Sequence, residues 1–474
     1  MVPSSKSVFG EAHYSFTLAP TLGFDHAEAT GAALPADYEL AAWAPDALLG
    51  PAWPAIYAAL GSAIHNDYPV IEGLLNAVHL DHSITLKYTP EQMLERGITT
   101  IDVTSHVAAV DESSSGRIVT VALELTSNGE YVGSTQERFA IRGRATGNRA
   151  PSEAAPFGGA MVEVVDTPRS VLRRVSVKAP DDMTPFAIVS GDYNPIHTSY
   201  AAAKVAGMDA PLVHGMWLSA TAQHAAEAVV AGQGGAQIAG WTYYMYGTVD
   251  LNDEVEITVE RVGRVVGGGL SLEVTCRINK QVVSRASAYT FAPKVAYVYP
   301  GQGIQSAGMG LDERTKSKAV DEVWRRADAH TRSAMGFSIL AIVRDNPTEI
   351  VARGVTYRHP EGVLNLTTFT QVALATLANG QTTRMREEGV LVPGAAFAGH
   401  SLGEYDALAA YAEVFPLEIV LDLVFQRGST MHSLVPRDEK GRSNYRMGAL
   451  RPNQFGVDDA HVVEYVASIA EASG

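Results

Sequence analysis

A chain of 474 residues, 46% hydrophobic and 19% charged, has the length of about three domains and the composition of an ordinary folded protein. Its formal charge of −16 argues against nucleic acid and anionic membrane surfaces as partners, and an acidic protein partner would need a local basic patch. The lone cysteine, Cys276, excludes a disulfide within the chain, and with neither a secretory nor a membrane-length apolar run the expected compartment is the cytoplasm.

Residues 1 to about 68 read as packed loops, with one helix near Trp53 to Ala63. Val70, Ile71, Leu74, Leu75 and Val78 then recur at helical spacing, which predicts a helix. Four strands follow, HSITLKY, TTIDVTSHVAAV, RIVTVALELTS and EYVGSTQERFAIRG, the middle pair joined by the turn DESSSG. PSEAAPFGG, residues 151–159, reads as a linker. Arg169, Arg173, Arg174 and Lys178 crowd the next strand, as basic residues do on an exposed sheet edge; the competing reading is a docking patch for an acidic carrier protein or a phosphopantetheine phosphate.

The stretch SGDYNPIHTSYAAAKVAGMDAPLVHG, residues 190–215, puts Asp192, Asn194 and His197 within six residues, on a loop turned by Asn194-Pro195. A carboxylate and an imidazole held close can move protons in both directions at neutral pH. Further on, His214-Gly215 opens an almost wholly apolar helix, whose first N–H groups are unpaired donors able to stabilise a carbonyl gaining negative charge. Each piece alone has a bland account, a turn for DYNP and a hydrogen-bonded structural imidazole for His197. Their conjunction reads as an active site. After this helix come WTYYMYGTVD, DEVEITVERV, LSLEVTCRIN and QVVSRASAYTF, with Gly267, Gly268 and Gly269 making a turn. Helix and consecutive strands thus occur twice, an internal repeat. Only the second copy carries the loop; His65, Asn66 and Asp67 of the first lack its spacing and read as capping and turn residues.

The remainder starts with KVAYVYP, read as a buried strand, followed by Gly301-Gln302-Gly303. Ser306 stands where a dinucleotide fingerprint needs its third glycine, so that reading fails. AAFAGHSLGEYDALAAYA gives strand, sharp turn and helix around Gly399-His400-Ser401-Leu402-Gly403, the context in which G-x-S-x-G projects a nucleophilic serine rather than a capping one. Zinc-type spacings are absent, and no metal is proposed.

The D-x-N-P-x-H loop and the later H-G resemble the hydratase motif of MaoC-like, R-specific enoyl hydratases and dehydratases, a hot-dog family. GQG, TQVAL, GHSLGEY and QRG resemble acyltransferase domains of fatty acid and polyketide synthases. DYELAAWAPDALL, PAWPAIYAAL, APDDMTPFAIVSGDYNPIH and PRDEKGRSNYRMGALRP are similar to the dehydratase and malonyl/palmitoyl transferase regions of fungal and actinobacterial type I fatty acid synthases.

The resemblance implies an α+β double hot-dog followed by part of an α/β acyltransferase. Residues 1–160 would be a non-catalytic hot-dog with an N-terminal extension, shaping the acyl tunnel. Residues 161–293 would be the dehydratase, and 294–474 the transferase portion. By the same resemblance Asp192 and His197 would remove water from a (3R)-hydroxyacyl thioester while Gly215 N–H holds its carbonyl, with Asn194 at the substrate. Ser401 would take the acyl group, backbone amides of Gln302 and Leu402 would form an oxyanion hole, and Arg427 would pair with a malonyl carboxylate. No bound cofactor is implied. Acyl groups would arrive on the phosphopantetheine of an acyl carrier protein or on CoA, malonyl-CoA included, and the rest of a fatty acid synthase would be partner. The family's transferase histidine lies roughly a hundred residues after the serine, and neither His432 nor His461 sits in its motif, so the chain is expected to be a segment of a larger multienzyme. The other readings are an R-specific enoyl-CoA hydratase fused to an acyltransferase, and a non-catalytic acyl-binding scaffold.

Overall fold

The computed structural model describes residues 10–35, 43–65, 67–74, 77–113, 116–142, 162–231, 237–444, 452–458 and 460–473. The expected linker at 151–159, the boundary at 160/161, Asn66, Leu75, the start of DYELAAWAPDALL and most of MGALRP lie outside these residues.

Two compact units result, residues 1–295 with 388–395, and residues 296–387 with 396–474. The two expected hot-dogs thus form a single unit, and 388–395, expected in the transferase portion, packs with them.

In the first unit the order is β1 (Glu11–Thr17), α1 (Pro20–Gly31), a 3-10 helix (Pro45–Leu48), α2 (Leu49–Ser62), β2 (Ile64–His65), β3 (Tyr68–Pro69), β4 (Ala77–Leu86), α3 (Pro90–Glu95), β5 (Thr100–Ser113), β6 (Gly116–Ser127) and β7 (Glu130–Arg142). It recurs as β8 (Val164–Lys178), α4 (Thr184–Ser190), a 3-10 turn (Pro195–His197), α5 (Tyr200–Val205), α6 (Gly215–Ala231), β9 (Ile238–Met245), β10 (Glu254–Val265), β11 (Leu270–Ile278) and β12 (Gln281–Thr290). Ten of these strands make one sheet in the order β1-β5-β6-β7-β4-β9-β12-β11-β10-β8. Reading outward from the central β4–β9 pair, the two halves match strand for strand. At that seam Ser83 faces Thr242 and Ile84 faces Trp241. One continuous core holds Ile56, Leu60, Trp217, Leu218 and Trp241, so the central helices of both copies bury their apolar faces against the same sheet.

Three expectations are corrected here. The Val70–Val78 spacing does not make a helix: residues 70–73 are a turn with Gly73 at φ 86°, and Val78 belongs to β4. The first copy's central helix is α2, built from the stretch assigned to the extension, with Pro54 inside it. Asp67 does sit in a turn, the β2–β3 connection, at φ 68°, but His65 is the buried last residue of β2, and the segment matching the catalytic loop lies earlier, between α1 and α2. The basic strand is β8, an outer strand of the sheet as the edge reading required, and Arg169 pairs there with Glu260 and Glu273 at 3.0 and 2.8 Å.

The second unit contains β13 (Ala296–Tyr299), α7 (Leu311–Arg314), α8 (Lys318–His330), α9 (Ile339–Asp345), the hairpin β14 (Glu349–Ala352) and β15 (Val355–Arg358), α10 (Thr367–Glu387), β16 (Ala396–Gly399), α11 (Leu402–Asp406), α12 (Leu417–Ser433) and α13 (Val462–Ser473). Helices α8, α10 and α12 enclose a core of Trp324, Phe369, Val372, Val420 and Val424. β13 and β16 pair in parallel, the arrangement that βα crossovers produce. KVAYVYP is not the buried strand its apolar run predicted: Val298 is 72% exposed, and only Tyr299 is buried.

Candidate active sites

Ser190 ends α4, and Gly191 at φ 69° turns the chain into the loop. Inside it the polar side chains fasten the backbone. Asp192 Oδ1 accepts from Asn194 N–H at 3.1 Å, and Asn194 Oδ1 accepts from Ile196 N–H at 3.3 Å. These short-range turns, with Pro195 fixing φ, rigidify the segment before any substrate arrives. His197 Nδ1 lies 2.8 Å from Leu212 O. A carbonyl only accepts, so Nδ1 carries the proton and Nε2 keeps its lone pair. Burial pushes the His197 imidazole below its ordinary value, only partly offset by the Leu212 bond and the Asp192 charge. His197 is therefore poised as a base at neutral pH.

His214 completes the arrangement. Its ring stacks on His197 with centroids 3.7 Å apart, and Nε2 donates to Asp192 O at 3.1 Å. Burial, with His197 close by, drives it down to about 2, so it stays neutral. Phe186 packs against its other side at 5.1 Å. Next along the chain, Gly215 and Met216 begin α6, where no preceding turn supplies acceptors for their N–H groups. Asp192, His197, His214 and Gly215 border a cavity of ≈190 Å³ whose walls are otherwise mostly apolar.

In the second unit Ser401 has φ 57° and ψ −107°, a strained conformation for a residue with a Cβ. Flanking glycines permit it: a Cβ on Gly399 would lie 2.1 Å from Gly403 C, and one on Gly403 would lie 2.0 Å from Tyr299 O. Arg427 reaches from α12 and donates from Nη2 to Ser401 Oγ at 3.0 Å. Gln302 is held beside the turn by Thr367 (3.0 Å) and Gln371 (3.4 Å). Leu402 is wholly buried as the first residue of α11, where its N–H lies in an unpaired first turn. His432 lies near Tyr357 and His461 pairs with Asp458 at 2.6 Å; among the described residues no imidazole bonds Ser401.

Comparison with known families gives two matches: residues 160–281 fit the MaoC like domain, and residues 296–469 fit the acyl transferase domain. Residues 160–281 are thus similar to a MaoC like domain and residues 296–469 to an acyl transferase domain. Over 328 residues it is 34% identical to the fatty acid synthase subunit beta of Saccharomyces cerevisiae, a match covering 60% of this chain and 16% of that one. It is 32% identical over 348 residues to the corresponding subunit of Schizosaccharomyces pombe, covering 64% and 17%. The chain thus spans about a sixth of the length of these relatives. A solved MaoC-like dehydratase from Phytophthora capsici is 15% identical, with a TM-score of 0.42 over 61% of this chain and 96% of that one. Among the described residues, no helix is long and apolar enough to cross a membrane.

The MaoC-like match begins at the second copy, so the first copy is recognised only through the sheet it shares. Within residues 160–281 the structure brings Asp192, Asn194, His197 and Gly215 to one cavity; within residues 296–469 it brings Ser401 and Arg427 into contact. Sequence reasoning missed His214 as more than a helix opener, along with Tyr57 and His79, which line the same cavity from the first copy. The H-G pair carried a signal for His214; nothing local pointed to the other two. Asp192, His197 and His214 also offer metal-ligand atoms within 4.8 Å of one another; His197 Nδ1 and His214 Nε2 donate to carbonyls, which leaves His197 Nε2 and His214 Nδ1 as the lone-pair nitrogens.

Proposed function

We propose that the MaoC-like domain dehydrates (3R)-hydroxyacyl thioesters to trans-2-enoyl thioesters within a fatty acid synthase. The observation that carries this reading is the tautomer of His197, which keeps Nε2 unprotonated on a residue lining the same cavity as Asp192 and the start of α6. His197 Nε2 takes the C2 proton. The electrons pass toward the thioester carbonyl, held by Gly215 N–H, and then expel the C3 hydroxyl, which donates its hydrogen bond to the Asp192 carboxylate and leaves as water with the proton that His197 has taken. Asn194 fixes the loop that presents both groups. The acyl group arrives on phosphopantetheine, from an acyl carrier protein or as CoA.

In the acyl transferase domain, Ser401 is the acyl acceptor and Arg427 the fork for a malonyl carboxylate, with Gln302 and Leu402 amides at the oxyanion. The test is hydration of a crotonyl thioester, the reverse reaction. Asp192→Ala and His197→Ala should each lower kcat by roughly a hundredfold or more, and the double variant should lose no more than the worse single. Near-normal rates in either single variant would leave the acyl-binding scaffold as the better account.

A further inference from the structure

The cavity at Asp192 and His197 is walled in part by the copy without the loop: Trp53 and Tyr57 of α2, His79 of β4 and Phe139 of β7 all line it. Their rings pack against one another. Burial and the Asp192 charge push the Tyr57 phenol up to about 12, which marks Tyr57 as the ring near the carboxylate. Tyr57 stacks on Trp53 at 5.5 Å, and Trp53 in turn meets both His79 (edge-on, 6.2 Å) and Phe139 (6.0 Å), which stack on each other at 4.7 Å.

Behind His79 the wall is ionic. Its Nε2 lies 2.9 Å from Glu137 Oε2, though out of line for a hydrogen bond. Glu137 Oε1 takes His82 Nδ1 at 2.7 Å, and His82 Nε2 meets Asp46 Oδ1 at 2.9 Å. Asp46 in turn accepts from Ser219 (2.7 Å) and Gln223 (2.5 Å) of α6. Glu137 and His82 are fully buried, and Asp46 nearly so. With His82 protonated, the three leave one net negative charge, and Glu137 Oε2 presents it to His79. A β-bulge between His79 and Asp81 makes this possible, because it returns residues three apart in β4 to the same face.

We propose that His79, backed by Glu137, is a specificity-determining residue of this site: acyl chains that stop short of it are preferred over saturated chains long enough to reach it. An apolar wall would reward each further methylene; a polar ring tied to a buried charge must instead be desolvated against alkyl carbon. The inference rests on the dehydratase reading for its substrate class.

The test is a binding series of saturated acyl-CoA thioesters, butyryl to lauroyl, measured by calorimetry beside kcat/KM for the matching trans-2-enoyl thioesters. An apolar pocket gains about fourfold in affinity per added methylene. In the wild-type chain that gain is expected to stop where the chain meets His79. In His79→Leu it continues, binding the longest thioesters at least about tenfold more tightly while butyryl stays within about twofold; His79→Gln keeps the stop. An uninterrupted rise in the wild type, an unchanged stop in His79→Leu, or an equal loss at every length would each overturn the proposal. Absence of turnover with any enoyl thioester would refute the dehydratase reading alone, since the binding series still reads the wall.

Discussion

The buried Asp46–His82–Glu137 group ties the stability of the first unit to pH through His82. Burial alone would depress this imidazole, but the Glu137 and Asp46 carboxylates outweigh it and push it up to about 10 from the usual 6.5. A group whose folded pKa is raised stabilises fully below its unfolded value and loses that contribution as pH climbs through its folded value. The loss should run from pH 6.5 to about 10, of order 5 kcal/mol in all, or about 1.4 kcal/mol per pH unit. Other groups overlap parts of this window. Glu227 and Asp406, both raised by burial to about 8, cost stability only until that pH, and buried Cys276, raised from 9.0 to about 12, contributes only above 9.0. Between pH 8 and 9, His82 should dominate. The assay is urea unfolding across pH 6 to 10 followed by tryptophan fluorescence, since four of the five tryptophans lie in the first unit. Replacing the three groups together (Asp46→Asn, His82→Gln, Glu137→Gln) keeps hydrogen-bonding shape without charge and should flatten the slope between pH 8 and 9. A wild-type stability that is level there, or a variant that keeps the slope, refutes the argument.

His214→Phe keeps the ring stack but removes the donor to Asp192 O; kcat should fall roughly fivefold, one hydrogen bond's worth, with the acid limb of the pH profile unmoved because His214 is already neutral. A limb displaced by a full unit would show that His214 carries charge. Leu218→Asp places an unpaired carboxylate in the shared core and should cost at least about 3 kcal/mol; an unchanged melting temperature would remove α6 from the core. For Ser401, whose hydroxyl is bonded by Arg427 and by no imidazole among the described residues, labelled malonyl loading from malonyl-CoA should be trace. Stoichiometric loading at an ordinary enzymatic rate, lost in Ser401→Ala, would mean His432 or His461 serves as the base.

The loop at Asp192–His197 was legible because everything that shapes it is local: the turn bonds, Pro195 and the αL glycine lie within a dozen residues. The strands were legible for the same reason, a period of two being a property of neighbours. α2 was partly hidden by Pro54, and the Val70–Val78 spacing imitated a helix where a turn meets a strand. His79 could not have been placed, since strict alternation through HLDHSITL puts His79 and His82 on opposite faces and the bulge reverses that. Nor could Asp46, whose partners His82, Ser219 and Gln223 are 36, 173 and 177 residues away. The exposure of Val298 shows the remaining limit: apolarity states what a residue prefers, not what covers it.

The β4–β9 seam places a residue of the loop-less copy on the wall of a cavity whose chemistry belongs to the other. Under the proposed function, the repeat separates two jobs that a single hot-dog would have to perform with one set of side chains. Substitutions in β4, α2 or β7 can retune what enters the cavity while the loop at Asp192–His197 stays untouched. Under the proposed function a lineage can therefore drift in substrate preference without passing through an inactive intermediate, and the half without the Asp192–His197 loop is the half free to vary.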